Sequence, residues 1–238
     1  MGQHFLTSQN VVESIIRTAE ITKKDTVLEI GPGRGVLTER MASLAKKIIA
    51  VEKDGALAEL LRAKYADKEN IEIITGDILQ VDLLKRLPKK YKIVANLPYY
   101  ITSRFLRIFL ESKLQPTSMV LMVQWEVARR IVARPPNINM LALSVQAYGE
   151  PKIIQKVPRS FFRPRPDVDS AIIKISDIST VFFTKNKISQ EKFFGLARKA
   201  FSQKRKTLRN SIGASSQKRP QELSLDDWVC ILGCPTPK

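Results

Sequence analysis

The stretch TVLEIGPGRGVLT, running from Thr26 to Thr38, decides the fold. Thr26 to Ile30 is a short apolar run that reads as a strand, and it passes without a spacer into Gly31, Gly33 and Gly35. From Val36 to Ala45 the apolar residues Leu37, Met41 and Leu44/Ala45 recur at helical spacing. A strand, a glycine turn and a helix in that order place the turn at the carboxyl edge of a parallel sheet, where such folds bind ligands. The spacing then separates cofactors. A dinucleotide loop, G-x-G-x-x-G, needs glycine at position 36, which is Val36. The G-x-G-x-G loop present here permits close backbone approach to an adenosine and an amino-acid moiety without cradling a pyrophosphate. Taken alone, the string also admits a tight glycine turn without a ligand, as the lesser reading.

Working outward, strand-like and helix-like runs alternate. Val11 to Ala19 reads as an amphipathic helix, Ile48 to Val51 as a strand ending on Glu52, and Gly55 to Tyr65 as a helix. Ile71 to Thr75 is a third strand, followed by Gly76 and Asp77. Tyr91 to Ala95 is a fourth, running into Asn96. A helix from about Ser103 leads to the apolar strand Ser118–Val123. This alternation predicts an α/β fold: a Rossmann-like, doubly wound, mainly parallel sheet with a small C-terminal helical domain. After Gly149, Lys152–Val157 and Ser170–Ile175 flank a proline-rich stretch, as an antiparallel pair with a long connection would. From Ser189 the chain reads as helical, with Phe193, Phe194, Ala197, Ala200, Phe201 and Leu208 on one side and basic residues crowding the rest. The predicted domains are 1–180, carrying the ligand site, and 181–238, small and basic.

Composition narrows the function. The 238 residues carry 40 Lys and Arg against 23 Asp and Glu, a net charge of +17, which is the footprint of a polyanion-binding protein. The excess is uneven, since residues 181–238 hold 12 basic and 4 acidic groups. The same charges also read as a solvated basic face. His4 is the only histidine, and Cys230 and Cys234 are the only cysteines, so a closed zinc site and a Ser-His-Asp or Cys-His mechanism are disfavoured. Both thiols are expected reduced, and no metal is expected. No apolar run approaches the ~20 residues of a membrane helix and no signal peptide is evident, which predicts a cytoplasmic protein without a membrane partner.

Three successive strand ends carry chemistry. The glycine loop ends the first. Glu52, 17 residues after Gly35, ends the second and can accept both hydroxyls of a ribose. Asp77, at the third, can accept from an adenine amine. Each carboxylate alone is as readily a loop or capping residue; the set indicates a nucleoside cofactor. The fourth strand ends on Asn96-Leu97-Pro98-Tyr99. The exocyclic nitrogen of adenine is a poor nucleophile because its lone pair is delocalised into the ring. The Asn96 side-chain oxygen and the Leu97 carbonyl can each accept one of its protons, which drives the nitrogen toward tetrahedral geometry and aims the lone pair at a sulfonium methyl. Pro98 fixes φ and holds that carbonyl, and Tyr99 offers a face for the base to stack on. Positioning and charge stabilisation suffice, so no general base is required.

The chain resembles the ribosomal RNA adenine dimethyltransferases, in particular those of the bacterial small subunit. The resemblance rests on GQHFL (2–6), LEIGPGRGVLT (28–38), VEKD (51–54), TGD (75–77), NLPYYITS (96–103), FFRPRPDVDSA (161–171) and FSQKRKTLRN (201–210), which cover nearly the whole chain in order. It implies S-adenosyl-L-methionine as cofactor, with S-adenosylhomocysteine as product. His4 and Leu6 match a segment that closes over the cofactor, and Gly31, Gly33, Glu52, Asp77 and Asn96 its other contacts. Phe162 matches an aromatic that sandwiches the target base against Tyr99; by residue type alone it reads as core. Lys204, Arg205, Lys206 and Arg209 are expected to contact RNA. The implied substrate is a pair of adjacent adenosines in the 3′-terminal hairpin loop of small-subunit 16S rRNA, each dimethylated on an immature small ribosomal subunit by a monomeric enzyme. Asp167 stands where lysine is common, and the sequence lacks the basic extension usual before GQHFL and is short at the C-terminus, so fewer RNA or lid contacts are expected. Two alternatives remain at this level. One is a resistance-type large-subunit rRNA adenine methyltransferase, against which FSQKRKTLRN argues. The other is an rRNA-binding assembly factor or transcription-factor relative whose catalysis is dispensable, against which the intact glycine loop and NLPY string argue.

Overall fold

A computed structural model describes residues 4–83 and 85–233. Its elements follow in chain order: β1 (Phe5–Leu6), α1 (Gln9–Ala19), β2 (Thr26–Ile30), α2 (Val36–Ala42), β3 (Lys47–Glu52), α3 (Gly55–Lys64), β4 (Ile71–Thr75), β5 (Lys92–Asn96), α4 (Thr102–Leu110), β6 (Ser118–Gln124), α5 (Trp125–Ile131), α6 (Met140–Gln146), β7 (Glu150–Val157), β8 (Phe162–Arg163), β9 (Ser170–Ser176), α7 (Val181–Lys185), α8 (Gln190–Phe201), α9 (Leu208–Ile212) and α10 (Leu225–Gly233).

Seven strands form one sheet in the order β4-β3-β2-β5-β6-β9-β7. The pairs β2/β3, β3/β4, β2/β5 and β5/β6 are parallel, and β9 runs antiparallel to β6. Strand order reverses between β2 and β5, which makes their carboxyl ends the topological switch point where open α/β sheets take ligands. Every residue of β2 is buried, because both faces of the sheet are covered. Val27, Ile48, Ala50, Val94, Val120, Met122 and Ile172 join a cluster with the stripe Val11, Val12, Ile15, Ile16 and Ala19 of α1 and with Leu37 and Met41 of α2. Each large aliphatic side chain buried this way contributes about 1.5–3 kcal/mol. The intervening residues Leu28, Ile49, Ile93 and Leu121 point to the opposite face by strand alternation and are equally buried.

The start of β2 is fixed by polar pinning. Asp25 accepts from the Thr22 N–H (2.7 Å), the Thr22 hydroxyl (2.9 Å) and Lys92 Nζ (3.1 Å), and Lys92 also donates to the Ala19 and Glu20 carbonyls that end α1. Partial burial opposes ionisation of Asp25, but the Thr22 and Lys92 hydrogen bonds outweigh it and hold the carboxyl below its ordinary range.

The chain divides into two compact units, Met1–Ala128 with Lys152–Ile178, and Arg129–Pro151 with Ser179–Lys238. The second therefore takes in a stretch, 129–151, that the sequence places before the C-terminal portion. Aromatic packing explains its membership. Tyr148 stacks on Phe194 at 5.9 Å and meets Phe183 at 5.1 Å, while the Ile138 N–H donates to the Gln221 carbonyl. Within this unit the helix expected from Ser189 stops at Phe201. Lys204, Arg205 and Lys206 lie in a turn, and only Arg209 is helical, on the short α9. Beyond the turn, the Leu208 and Arg209 N–H groups donate to the carbonyls of Lys218 and Ser216, so the chain folds back on itself here instead of continuing α8. Cys230 is a free, exposed thiol, and Cys234 falls outside the described residues. Among the described residues no helix is long and apolar enough to cross a membrane.

Gly35 tests the loop geometry. Its φ is +79°, and a Cβ there would lie 2.6 Å from the Tyr65 hydroxyl oxygen and 2.9 Å from Leu61. Positive φ and the clash together are expected to cost Gly35→Ala about 1–3 kcal/mol in denaturant unfolding. Gly55→Ala, where a Cβ would meet nothing within 4 Å, is expected to be neutral or slightly stabilising. Equal effects at the two positions would show that the loop does not need its left-handed turn.

Candidate functional site

The site lies on the first unit, at the carboxyl ends of β2, β3, β4 and β5. Gly31 and Gly33, with φ of +65° and +59°, turn the chain sharply after β2. The Gly31 N–H donates to the Val51 carbonyl, so the turn is tied to β3 from its first residue. A Cβ on Gly31 would sit 3.7 Å from the Asn96 carbonyl oxygen, and this places the glycine loop beside the end of β5.

Glu52 ends β3 with 5% of its surface exposed. One carboxylate oxygen accepts from the Gly33 N–H (3.0 Å) and the other from the Asp54 N–H (3.0 Å). A carboxylate held by backbone donors from two loops is a fixed acceptor, and its remaining lone pairs suit a diol. Asp77 follows β4. It accepts from the Leu79 N–H (3.0 Å) and from Lys53 Nζ (2.9 Å), which together keep its carboxyl below the ordinary range.

Behind the loop, Glu29 of β2 is 1% exposed and accepts from the Thr38 hydroxyl of α2 at 2.6 Å. Burial pushes its carboxyl up to about 8; the Thr38 bonds oppose this and the nearby Glu52 reinforces it. Neither residue was singled out as functional by sequence, although both lie inside the LEIGPGRGVLT string.

Asn96 is the last residue of β5, opposite Met122, and the Leu97 N–H donates to the Met122 carbonyl at 3.2 Å. Pro98 has φ −57° and ψ 131°, and precedes the short 3-10 turn Tyr99–Ile101. The Asn96 Nδ2 donates to the His4 carbonyl at 3.5 Å, which leaves its Oδ1 as the free acceptor of that amide. Tyr99 is half-buried; its hydroxyl lies 3.0 Å from Ser170 Oγ, and its ring stacks with His4 at 6.2 Å and 24°.

The N-terminal segment lies over these strand ends. β1 pairs antiparallel with β8, Phe5 against Arg163 and Leu6 against Phe162. His4 Nδ1 sits 2.7 Å from the Pro164 carbonyl, and a Cβ on Gly33 would meet the Phe5 ring at 3.2 Å. Phe5 also carries Arg34 over its ring, 4.8 Å from the centroid. Gly2 and Gln3 of the GQHFL string fall outside the described residues.

The structure thus brings His4, Gly31, Gly33, Glu52, Asn96, Leu97, Pro98 and Tyr99 together, with Asp77 one strand end further along. Leu6 and Phe162 are placed differently. Both belong to the buried cluster beneath β1, and Phe162 is 1% exposed. The expected sandwich of a base between Tyr99 and Phe162 is therefore not open in this structure: Leu6 and the core around α1 take up the Phe162 ring. Ser170, which carries the Tyr99 hydroxyl, gave no sequence signal beyond its place in FFRPRPDVDSA. Lys204, Arg205, Lys206 and Arg209, on the second unit, are all exposed. Among the described residues no group of three or more His, Cys, Asp or Glu could hold a metal ion.

Comparison with known proteins fits this geometry. Residues 1–229 match the ribosomal RNA adenine dimethylase family. The ribosomal RNA small subunit methyltransferase A of Dehalococcoides mccartyi strain BAV1 is 42% identical, over 97% of this chain and 86% of the relative. Its counterpart from Moorella thermoacetica is 42% identical over 90% and 77%. Among solved structures, a dimethyladenosine transferase from Plasmodium falciparum superposes with a TM-score of 0.85 at 26% identity, covering 96% of both chains. The 23S rRNA methyltransferase ErmE superposes with 0.74 at 25% identity, over 95% of this chain and 97% of that one. The chain belongs to the ribosomal RNA adenine dimethylase family and is a methyltransferase.

Proposed function

We propose that this methyltransferase dimethylates the exocyclic amines of two adjacent adenosines in the 3′-terminal hairpin loop of 16S rRNA, acting as a cytoplasmic monomer on the immature small subunit. The observation that carries the reading is the contact of two strand ends. Gly31, opening the glycine loop, lies against the Asn96 carbonyl, so a bound nucleoside cofactor and the amine-accepting Asn96-Leu97-Pro98-Tyr99 segment share one edge of the sheet.

The donor set fits S-adenosylmethionine. Glu52 is buried and pre-oriented by two N–H groups, the Leu79 N–H and Lys53 hold the Asp77 carboxyl below its ordinary range, and the loop presents no side chains at 31, 33 and 35. Gly31, Gly33, Glu52 and Asp77 would hold the cofactor, with His4 closing over it and Leu6 anchoring that segment in the core. When bound, the cofactor supplies an electrophilic methyl group on a sulfonium. Asn96 Oδ1 would accept a hydrogen bond from one amine N–H and the Leu97 carbonyl from the other, which orients the nitrogen lone pair. Pro98 restricts the backbone that carries this carbonyl, and Tyr99 supplies the stacking face. Phe162 supports the site from the core, beneath β1. The basic C-terminal unit supplies phosphate contacts through Lys204, Arg205, Lys206 and Arg209.

Purified protein with labelled S-adenosylmethionine is expected to methylate isolated small subunits and not large ones; label in 23S rRNA alone would move the substrate to the other subunit. Asn96→Ala is expected to leave cofactor binding largely intact and to lose at least ~100-fold in turnover, since one preorganised acceptor is gone. Turnover within a few-fold of wild type would remove Asn96 from the chemistry.

Glu52→Ala is expected to weaken S-adenosylmethionine binding by roughly 1.5–3 kcal/mol in calorimetry. Unchanged affinity would place the ribose elsewhere.

For the RNA contacts, changing Lys204, Arg205 and Lys206 together to Glu should weaken subunit binding and flatten its salt dependence, at about 0.7 of a log–log unit per lost single-strand contact. Cofactor affinity should not change. An unaltered salt slope would make this turn a solvated surface only.

A further inference from the structure

Tyr99 carries the stacking face of the proposed site, yet it sits in a 3-10 turn with its ring half-exposed. A tyrosine in that position is free to swing about its side-chain torsions unless something holds the tip of the ring. The hydroxyl is held. It lies 3.0 Å from the Oγ of Ser170, a residue 71 positions away that is 0% exposed. Ser170 is the first residue of β9 and pairs with Gln124, the last residue of β6. The pairs Asn96 with Met122 and Gln124 with Ser170 thus put β5, β6 and β9 in register at one end of the sheet, with the serine fixed by backbone on a strand flanked on both sides.

A buried hydroxyl at the start of a covered strand is unfavourable unless it has a partner. Ser170 meets that requirement through Tyr99. The other constraints on the tyrosine are weaker: the His4 ring at 6.2 Å on one face, and the Thr102 hydroxyl donating to its carbonyl at 3.3 Å. The His4 ring is itself held through Nδ1 at the Pro164 carbonyl.

We propose that Ser170 is a positioning residue of the methyl-transfer site: its hydroxyl fixes the Tyr99 ring in the plane on which the target adenine stacks. The proposal rests on the reading of Tyr99 as the stacking platform. Ser170 does not touch substrate; it acts through the tyrosine by removing rotamers that would otherwise have to be frozen when the base binds.

The test is a double-mutant cycle in single-turnover methylation of small subunits, with cofactor affinity and melting temperature measured for each variant. Ser170→Ala and Tyr99→Phe each remove one end of the hydrogen bond and keep the ring. Each is expected to lower kcat/KM for RNA by about 3- to 10-fold, the effect of one net hydrogen bond, with unchanged cofactor affinity. The double variant should be no worse than either single one, because both remove the same interaction. Multiplicative losses would assign Ser170 a merely structural role and overturn the proposal. Tyr99→Phe with wild-type kcat/KM would overturn it as well, and that measurement stands even if Ser170→Ala folds poorly. Tyr99→Ala separates this from the underlying reading. If it retains full activity, Tyr99 is not the platform; if it is inactive while Ser170→Ala and Tyr99→Phe are unimpaired, only the role of Ser170 is lost.

Discussion

The parallel pairing of β2 with β3 on one side and β5 on the other governs everything at the site. A strand buried on both faces and paired along both edges leaves its backbone nowhere to go at its end except a sharp turn into solvent. Because the strand order reverses between β2 and β5, that turn opens beside the last residue of β5 rather than beneath a crossover. The glycines at 31 and 33 answer a steric demand: positive φ, the Asn96 carbonyl beside one and the Phe5 ring beside the other. Register does the rest. Ile30 pairs with Ala95 and Val51, so Asn96 and Glu52 come out one residue further along, at the same edge.

Polar groups at this edge are oriented by hydrogen bonds within the protein itself. Glu52 is held by two backbone N–H groups, Asp77 by one N–H and Lys53, and Asn96 by the His4 carbonyl. In the methyl transfer proposed above, acceptors already in place would need no reorganisation as charge develops. The N-terminal segment contributes to the same end. By pairing with β8 it covers Phe162, brings Phe5 against Gly33 and carries His4 over Tyr99, so one short strand connects the glycine loop, the tyrosine and the proline-rich loop.

The second unit obeys a different rule. Its core is a knot of aromatic rings, Tyr148, Phe182, Phe183, Phe193, Phe194 and Trp228, with charge kept on the outside. The basic run 204–206 is displayed on a turn instead of a helix face.

Local chemistry in the sequence determined the strand–glycine–helix opening, the strand ends bearing Glu52, Asp77 and Asn96, and the basic bias toward the C-terminus. Period-two and period-3.6 patterning, turn residues and charge are properties of neighbours along the chain, so they are legible without coordinates. The fate of Phe162, the anchoring of Tyr99 on Ser170, the end of α8 at Phe201 and the membership of 129–151 in the second unit were decided by tertiary structure alone. For three of them the deciding contact joins residues far apart in sequence: Leu6 with Phe162, Tyr99 with Ser170, and Tyr148 with Phe194; past the end of α8 the chain folds back through the nearer pair Leu208 and Lys218. An aromatic residue, a serine or a run of lysines carries no local mark of which distant group will claim it. That is settled only when the strands take their register and the chain closes on itself.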